Sequence, residues 1–332
     1  SYVCYEQGVQ LPHIAAGINL NMPIVGPILR RGGAFFLRRS FRGNRLYAAV
    51  FDAYLNQLLT RGYTIEYFVE GGRSRTGRLL SPKGGMLAMT VGSYIQNPRR
   101  AVVFVPVYFG YEKLIEGDSF ISELGGAKKQ KESLFGLIRS VKSLREHFGK
   151  VYVNIAEPIE LEPVLDSLRP DWREQRSEPG ERPPWLAGAV DAIGGQIMRN
   201  INAAAAVTPI SLLAYVLLAT PKQKIGVAEL RRQLRLSLDV LDRFRYSGLV
   251  TIPSMTPDDI IAVSAFQEGA SNGWQVDWVE SFELKLDASI GQVAGVDEHI
   301  AAAHVDLVFQ RQGHGQRGKG LFQIAVEGDD RL

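Results

Sequence analysis

The sequence has a single cysteine, five histidines and, in its first 100 residues, only four acidic side chains. One cysteine, Cys4, excludes an internal disulfide and fits a reducing compartment. Cys4 lies in an apolar helical stretch with no His or Asp beside it, which argues against thiol catalysis. No apolar run reaches the roughly 18 to 20 residues that a spanning helix needs. The nearest, Ala203 to Ala219, is broken by Thr208, Pro209 and Ser211. Initiator Met, signal peptide, lipidation motif and internal repeat are all missing. Ser1 to Gly8 reads as the last two turns of a helix closed by Gly, so the start is expected to be a cut rather than a beginning.

What is present is an ordinary globular composition: 332 residues, 45% apolar and 22% charged, enough for two or more domains. The net charge of +3 hides an asymmetry. Residues 1 to 100 hold 12 Arg and 1 Lys against those 4 acids, a local +9, which leaves −6 on the remainder. A local excess made mostly of arginine suits phosphate groups or an anionic membrane surface, because guanidinium donates in a planar fork that matches phosphate oxygens. A solvated basic face accounts for the same charge.

From His13 to Glu157, short apolar runs alternate with helical patterns, which predicts an α/β fold with a mixed or parallel sheet flanked by helices. Strands are expected at His13 to Asn19, Gly33 to Leu37, Tyr63 to Val69, Ala101 to Tyr108 and Val151 to Ala156. Arg45 to Leu59 reads as a helix with Tyr47, Val50, Phe51, Tyr54, Leu55, Leu58 and Leu59 on its core face. Ser81-Pro82 makes an N-cap and N1 pair for a helix to about Ile95. Lys128 to Phe148 reads as an amphipathic helix with a basic outer face. Pro106 removes a ladder donor and implies an edge, a bulge or a strand end.

The expected division is an α/β domain over 1–170, a linker over 171–184, a smaller helical region over 185–262 and an atypical tail over 263–332. Within the helical region, helices are expected at Trp185 to Ala206, at Pro209 to Ala219 capped by Thr208, and at Val227 to Leu241. The tail is expected not to pack as a domain. A core joining Trp274, Trp278, Leu307 and Phe322 would overturn that.

The chemistry-bearing run is Phe68-Val69-Glu70-Gly71-Gly72-Arg73-Ser74-Arg75-Thr76-Gly77-Arg78. A strand that delivers a glycine-rich turn with three arginines and two hydroxyls offers backbone N–H groups, forked cations and small donors together. A phosphate dianion, once desolvated, needs that combination. The spacing is neither a Walker loop nor a dinucleotide fingerprint. Gly33-Ala34-Phe35-Phe36-Leu37-Arg38-Arg39 ends a second strand in paired arginines. If both strands are parallel, their C-terminal ends share the edge where ligands bind, and Arg38 can meet the Arg73 to Arg78 loop. Basic turns facing solvent are the competing reading for both segments. Nucleic acid is not expected, since the basic run lacks interleaved aromatics and any helix-turn-helix or RNA-binding signature.

These segments, with Leu11-Pro12-His13-Ile14-Ala15-Ala16-Gly17-Ile18-Asn19-Leu20-Asn21 and Val105-Pro106-Val107-Tyr108-Phe109-Gly110-Tyr111-Glu112, resemble the second, third and fourth acyltransferase blocks of the membrane-associated bacterial glycerol-3-phosphate 1-O-acyltransferases. The similarity continues through Gly126 to Ser133 and Pro183-Pro184-Trp185-Leu186 to about Ala262, roughly four fifths of the chain. The resemblance implies transfer of a fatty acyl group from acyl-CoA or acyl-carrier protein to the sn-1 hydroxyl of glycerol 3-phosphate. It places this at the cytoplasmic face of the bacterial inner membrane, peripherally or monotopically, without a cofactor or metal. Residue by residue, it implies that Arg38, with Arg39 beside it, clamps the phosphate. Glu70, Gly71, Gly72, Arg73, Ser74 and Arg75 would shape the acceptor pocket, and Pro106 would line the acyl-donor side. A relative acting on dihydroxyacetone phosphate, and a non-catalytic basic module for phosphorylated ligands, are the alternatives.

The family's first block is His-x-x-x-x-Asp, the general base and the residue that orients it. Five positions after the five histidines of this sequence stand Ile18, Tyr152, His304, Phe309 and Lys319, so the block is absent from it and is expected a few residues before Ser1. His13 reads as a packed strand-end histidine rather than a substitute base.

Overall fold

Short apolar runs near the start become strands that share one sheet. A computed structural model describes residues 2–38, 41, 43–72, 74, 77–112, 149–174, 182–220, 224–268, 282–283, 302–310 and 323–326. The chain runs α1 (Tyr2–Glu6), β1 (His13–Gly17), a 3-10 turn (Ile18–Leu20), α2 (Val25–Arg31), β2 (Ala34–Leu37), α3 (Arg45–Arg61), β3 (Ile65–Tyr67), α4 (Gly84–Gln96) and β4 (Val102–Tyr111). Further on come β5 (Val151–Ile155), β6 (Ile159–Glu160), α5 (Leu161–Leu168), α6 (Leu186–Ala203), α7 (Pro209–Ala219), β7 (Lys224–Ile225), α8 (Val227–Phe244), α9 (Pro257–Glu268), β8 (Phe282–Glu283), β9 (Ala302–Gln310) and β10 (Gln323–Val326).

The sheet order is β10-β5-β4-β9-β3-β1-β2, with β6 also on β4. β1 is parallel to both β2 and β3, and the strands around β4 are antiparallel. The mixed α/β sheet expected from the alternating pattern is therefore the one observed. In the tail, the backbone of β9 pairs with β3 and β4, and that of β10 with β5. Trp274, Trp278 and Phe322, named for the test of that tail, lie outside the described residues, as does the expected helix over Lys128 to Phe148.

Several element ends differ from the sequence reading, each for a backbone reason. β3 stops at Tyr67 instead of Val69, because the carbonyls of Phe68 and Val69 accept from the N–H groups of Gly71 (3.0 Å) and Lys83 (2.7 Å). Loop closure thus takes the groups a longer strand would have used. The same bond holds Lys83 extended, so α4 begins at Gly84 and not at Ser81-Pro82. The Pro82 ring instead packs against Gly194 of α6, where an added Cβ would stand 3.3 Å from it. Pro106 is neither at an edge nor at a strand end. It sits inside β4 where the partner changes from β5, last paired at Val107, to β6, first paired at Phe104. Its carbonyl accepts from Ala156 N–H at 2.9 Å, and its missing donor falls at that break in the ladder.

On α3, Asn44 caps the first turn by accepting from Tyr47 N–H at 2.9 Å, and Gly62 ends the helix at φ 85°. Phe51, Leu55, Leu58 and Leu59 are buried as read, whereas Val50 is 60% exposed. Together with Ile65, Leu87, Phe104 and Tyr108 they form the main core on one face of the sheet. Each such side chain contributes about 1.5–3 kcal/mol on full burial.

α6 belongs to this core too, through Ile193, Ile197 and Ile201, although the sequence reading gave it to the helical region. A second core of Leu212, Leu213, Leu230, Leu234 and Ile260 follows, with Val207 packed against it. Thr208 caps α7 as expected, exchanging hydrogen bonds with Ser211. Trp172, inside the expected linker, is fully buried against Tyr94 and donates its ring N–H to Asp166 at 2.8 Å. Among the described residues no helix is long and apolar enough to cross a membrane.

Candidate functional site

Because β3, β1 and β2 run parallel side by side, the loops that follow them leave the sheet from the same edge. Ile14 pairs with Ala34 on one side and with Glu66 on the other. Counting onward along each strand from that row brings Ile18, Arg38 and Glu70 to about the same level. The segments that carry Arg38 and Glu70 therefore leave the sheet at the same edge, on either side of β1.

Glu70 opens the glycine-rich loop and is 4% exposed. Its Oε2 accepts from Leu80 N–H at 3.0 Å. With the Val69 to Lys83 bond, this pinches the loop at its base. Burial raises the Glu70 carboxyl above the ordinary glutamate range, and the Leu80 N–H partly offsets that rise. Gly71 holds φ at 57°, in the left-handed region, and a Cβ there would come within 2.9 Å of the Lys83 side chain. Gly72 is exposed in the same turn. Ser74 is half-buried, and its hydroxyl is buried without a hydrogen-bond partner among the described residues.

Arg38 follows β2 directly and is exposed. Its N–H donates to the Tyr47 hydroxyl at 3.2 Å, and its guanidinium carbon lies 4.9 Å from the centre of the Tyr47 ring. No carboxylate among the described residues pairs with it. The edge therefore carries an acid-free cation on one side of β1 and a buried carboxylate with a glycine turn on the other.

Arg39, Arg73 and Arg75, expected beside these groups, lie outside the described residues. Pro106 does not join them. It is buried within β4, which β9 separates from β3. His13 stands at the opposite end of β1, edge-on to Tyr63 with 5.0 Å between ring centres, and its backbone N–H donates to Thr64 O at 2.7 Å. That is a packed strand-end histidine at the edge away from the loops.

Sequence reasoning missed Tyr47, which looked like one more core residue of α3. The only signal was its place one helical turn before the core residue Phe51, within nine residues of the strand-end arginine. A cavity of about 480 Å³ also went unforeseen. It lies at the junction of β5 and the helical region, lined by Asn154, Asp239, Asp242, Arg245 and Thr251, and shares no residue with either loop. Its two carboxylates make it unsuited to a phosphate ester. Among the described residues no three His, Cys, Asp or Glu side chains gather as a metal site.

Residues 1–110 match the Acyltransferase family model, and residues 120–271 match that of the glycerol-3-phosphate acyltransferase C-terminal region. Over 262 residues, 79% of this chain and 30% of the relative, the chain is 55% identical to the glycerol-3-phosphate acyltransferase of Xanthomonas axonopodis pv. citri (strain 306). It is 51% identical to that of Pseudomonas aeruginosa (strain LESB58) over 253 residues, and 51% identical to that of Xylella fastidiosa (strain M12) over 263 residues. These cover 76% and 79% of the chain. The chain spans about 30% of the length of the curated relatives it matches.

Proposed function

We propose, for a chain that belongs to the glycerol-3-phosphate acyltransferase family, that the edge between Arg38 and Glu70 receives glycerol 3-phosphate. There the acceptor takes a fatty acyl group from acyl-CoA or acyl-carrier protein on its sn-1 hydroxyl. The supporting observation is the polarity of that edge: a guanidinium with no carboxylate partner among the described residues on one side of β1, and a buried carboxylate on the other. A phosphate dianion is attracted by the first and repelled by the second, whereas glycerol hydroxyls can donate to a carboxylate. The acceptor is thereby oriented with phosphate toward Arg38 and hydroxyls toward Glu70. By the same reading Arg39, Arg73 and Arg75 reinforce the phosphate side, and Gly71, Gly72 and Ser74 form the wall.

In the transfer, the sn-1 oxygen bonds to the thioester carbonyl carbon, the C–S bond breaks, and the hydroxyl proton ends on the thiol. A base must take that proton in passing. No His in this sequence is followed by Asp at the fifth position, so the 332-residue chain binds the acceptor without completing the reaction. Pro106 acts on the donor side only through the shape of the sheet.

The same edge suits an anionic lipid surface. Ile18, Phe68 and Leu80 on the loops after β1 and β3, and Leu46 at the start of α3, are exposed beside a segment of net charge +9. This supports peripheral residence at the cytoplasmic face of the inner membrane. A non-catalytic phosphate-binding module is the alternative reading of the same edge. Phosphorus NMR titration of the purified chain with glycerol 3-phosphate tests the site. Saturable broadening that Arg38→Gln weakens and glycerol fails to compete supports it; equal binding by wild type and Arg38→Gln removes the assignment.

A further inference from the structure

We infer that Tyr47 is a positioning residue for Arg38, holding its backbone with the hydroxyl and its guanidinium with the ring face; this rests on the reading of Arg38 as the phosphate clamp. Both contacts come from one side chain. The Arg38 N–H donates to the Tyr47 oxygen at 3.2 Å, and the Arg38 guanidinium lies over the same ring at 4.9 Å. The hydroxyl bond fixes the peptide just beyond β2, and the ring contact fixes where the long side chain rests. An arginine tethered at both ends loses little freedom on meeting an anion.

The contact also leaves the phosphate-binding groups available. A ring attracts a guanidinium through the guanidinium's flat face, whereas the five N–H donors point outward in its plane. A carboxylate partner would occupy those donors; Tyr47 does not.

Tyr47 is itself held by the fold. Its N–H is capped by Asn44 at 2.9 Å, and its ring packs on Phe41 at 5.2 Å. Phe41 in turn packs at 5.4 Å on the buried Phe51. A row of rings thus connects the core to the cation, and a surface arginine acquires a defined position without any ion pair.

The test is a double-mutant cycle read by glycerol 3-phosphate binding in phosphorus NMR, with circular dichroism as the check on folding. Tyr47→Leu is expected to weaken binding about three- to ten-fold, and Tyr47→Phe, which keeps the ring, to recover most of that loss. In an Arg38→Gln background Tyr47→Leu is expected to have no further effect. Equal losses in the two backgrounds mean a merely structural role and overturn the inference, as does unchanged binding by Tyr47→Leu when Arg38→Gln binds more weakly. Unchanged binding by Arg38→Gln, or no saturable binding by wild type at tens of millimolar ligand, overturns the phosphate reading first and this inference with it. If Tyr47→Leu loses its fold, Tyr47→Phe carries the same cycle at smaller amplitude.

Discussion

The Glu70 carboxylate accepts from the N–H of Leu80, ten residues further along, so a buried acid closes the loop that holds the acceptor-binding candidates. A buried carboxyl is costly when charged, and this one is raised above its ordinary pKa, with burial the larger cause. The acid therefore favours protonation in the folded state more than in the unfolded one. Its share of stability is greatest below the unfolded pKa and falls as pH rises through the folded value.

Glu70→Gln removes that titration while keeping an oxygen for Leu80. Its stability relative to wild type is expected to improve as pH rises from the ordinary glutamate pKa through the higher folded value and then to level off, followed by urea denaturation at several pH values. A difference that stays flat over that range would show that Glu70 titrates normally. Glu70→Ala loses the loop closure as well, and is expected to weaken glycerol 3-phosphate binding where Glu70→Gln largely keeps the loop.

Gly71→Ala places a Cβ at a left-handed φ of 57° and against the Lys83 side chain. The backbone term is about 1–2 kcal/mol, while the Lys83 methylenes can swing aside. The expected result is a loss of folding stability of that order, measured by denaturant titration, accompanied by weaker acceptor binding. Retention of both would mean that the loop relaxes to another turn, and that the glycine serves no conformational need.

Where signals were local, the sequence was legible. Thr208-Pro209 and Ser211 start α7 with their own side chains, and both its ends fall where they were read. The mixed sheet followed from the alternating pattern, and its parallel strands carry the segments after β2 and β3 to one edge. Signals settled by distant partners were not legible. Ser81-Pro82 is a good helix start, yet Val69 O claims Lys83 N–H and delays α4. Pro106 is compatible with mid-strand because β5 and β6 meet opposite it, which no local pattern announces. Tyr47 was hidden because a ring that serves a cation and one that serves a core look alike in a helical stripe.

Trp172 shows the cost of reading composition as a boundary. The surrounding charges and prolines suggest a linker, but the indole is fully buried, stacks near Tyr94 and donates to Asp166, while Arg173 covers its outer face at 4.4 Å. Trp172→Ala is expected to cost about 3–5 kcal/mol in folding stability. A change below about 1 kcal/mol would return the segment to linker status. Glycerol 3-phosphate binding by the folded fraction should be unaffected, since the site lies on other loops.

Turnover separates binding from chemistry. In the proposed arrangement Arg38 and Glu70 orient the acceptor; the guanidinium has no lone pair with which to take a proton, and Glu70 is assigned to holding the glycerol hydroxyls rather than to proton removal. His13 is at the far end of β1 against Tyr63, about 16 Å from the loops by five residues of strand rise. The purified chain, given acyl-CoA and glycerol 3-phosphate, is therefore expected to form no lysophosphatidate above the uncatalysed rate, and His13→Gln to bind the acceptor as wild type does. Product formation abolished by His13→Gln would place the base where the geometry denies it. Product formation that survives His13→Gln would require a proton acceptor among the remaining residues, and the division of this chain into a binding edge without its base would have to be abandoned.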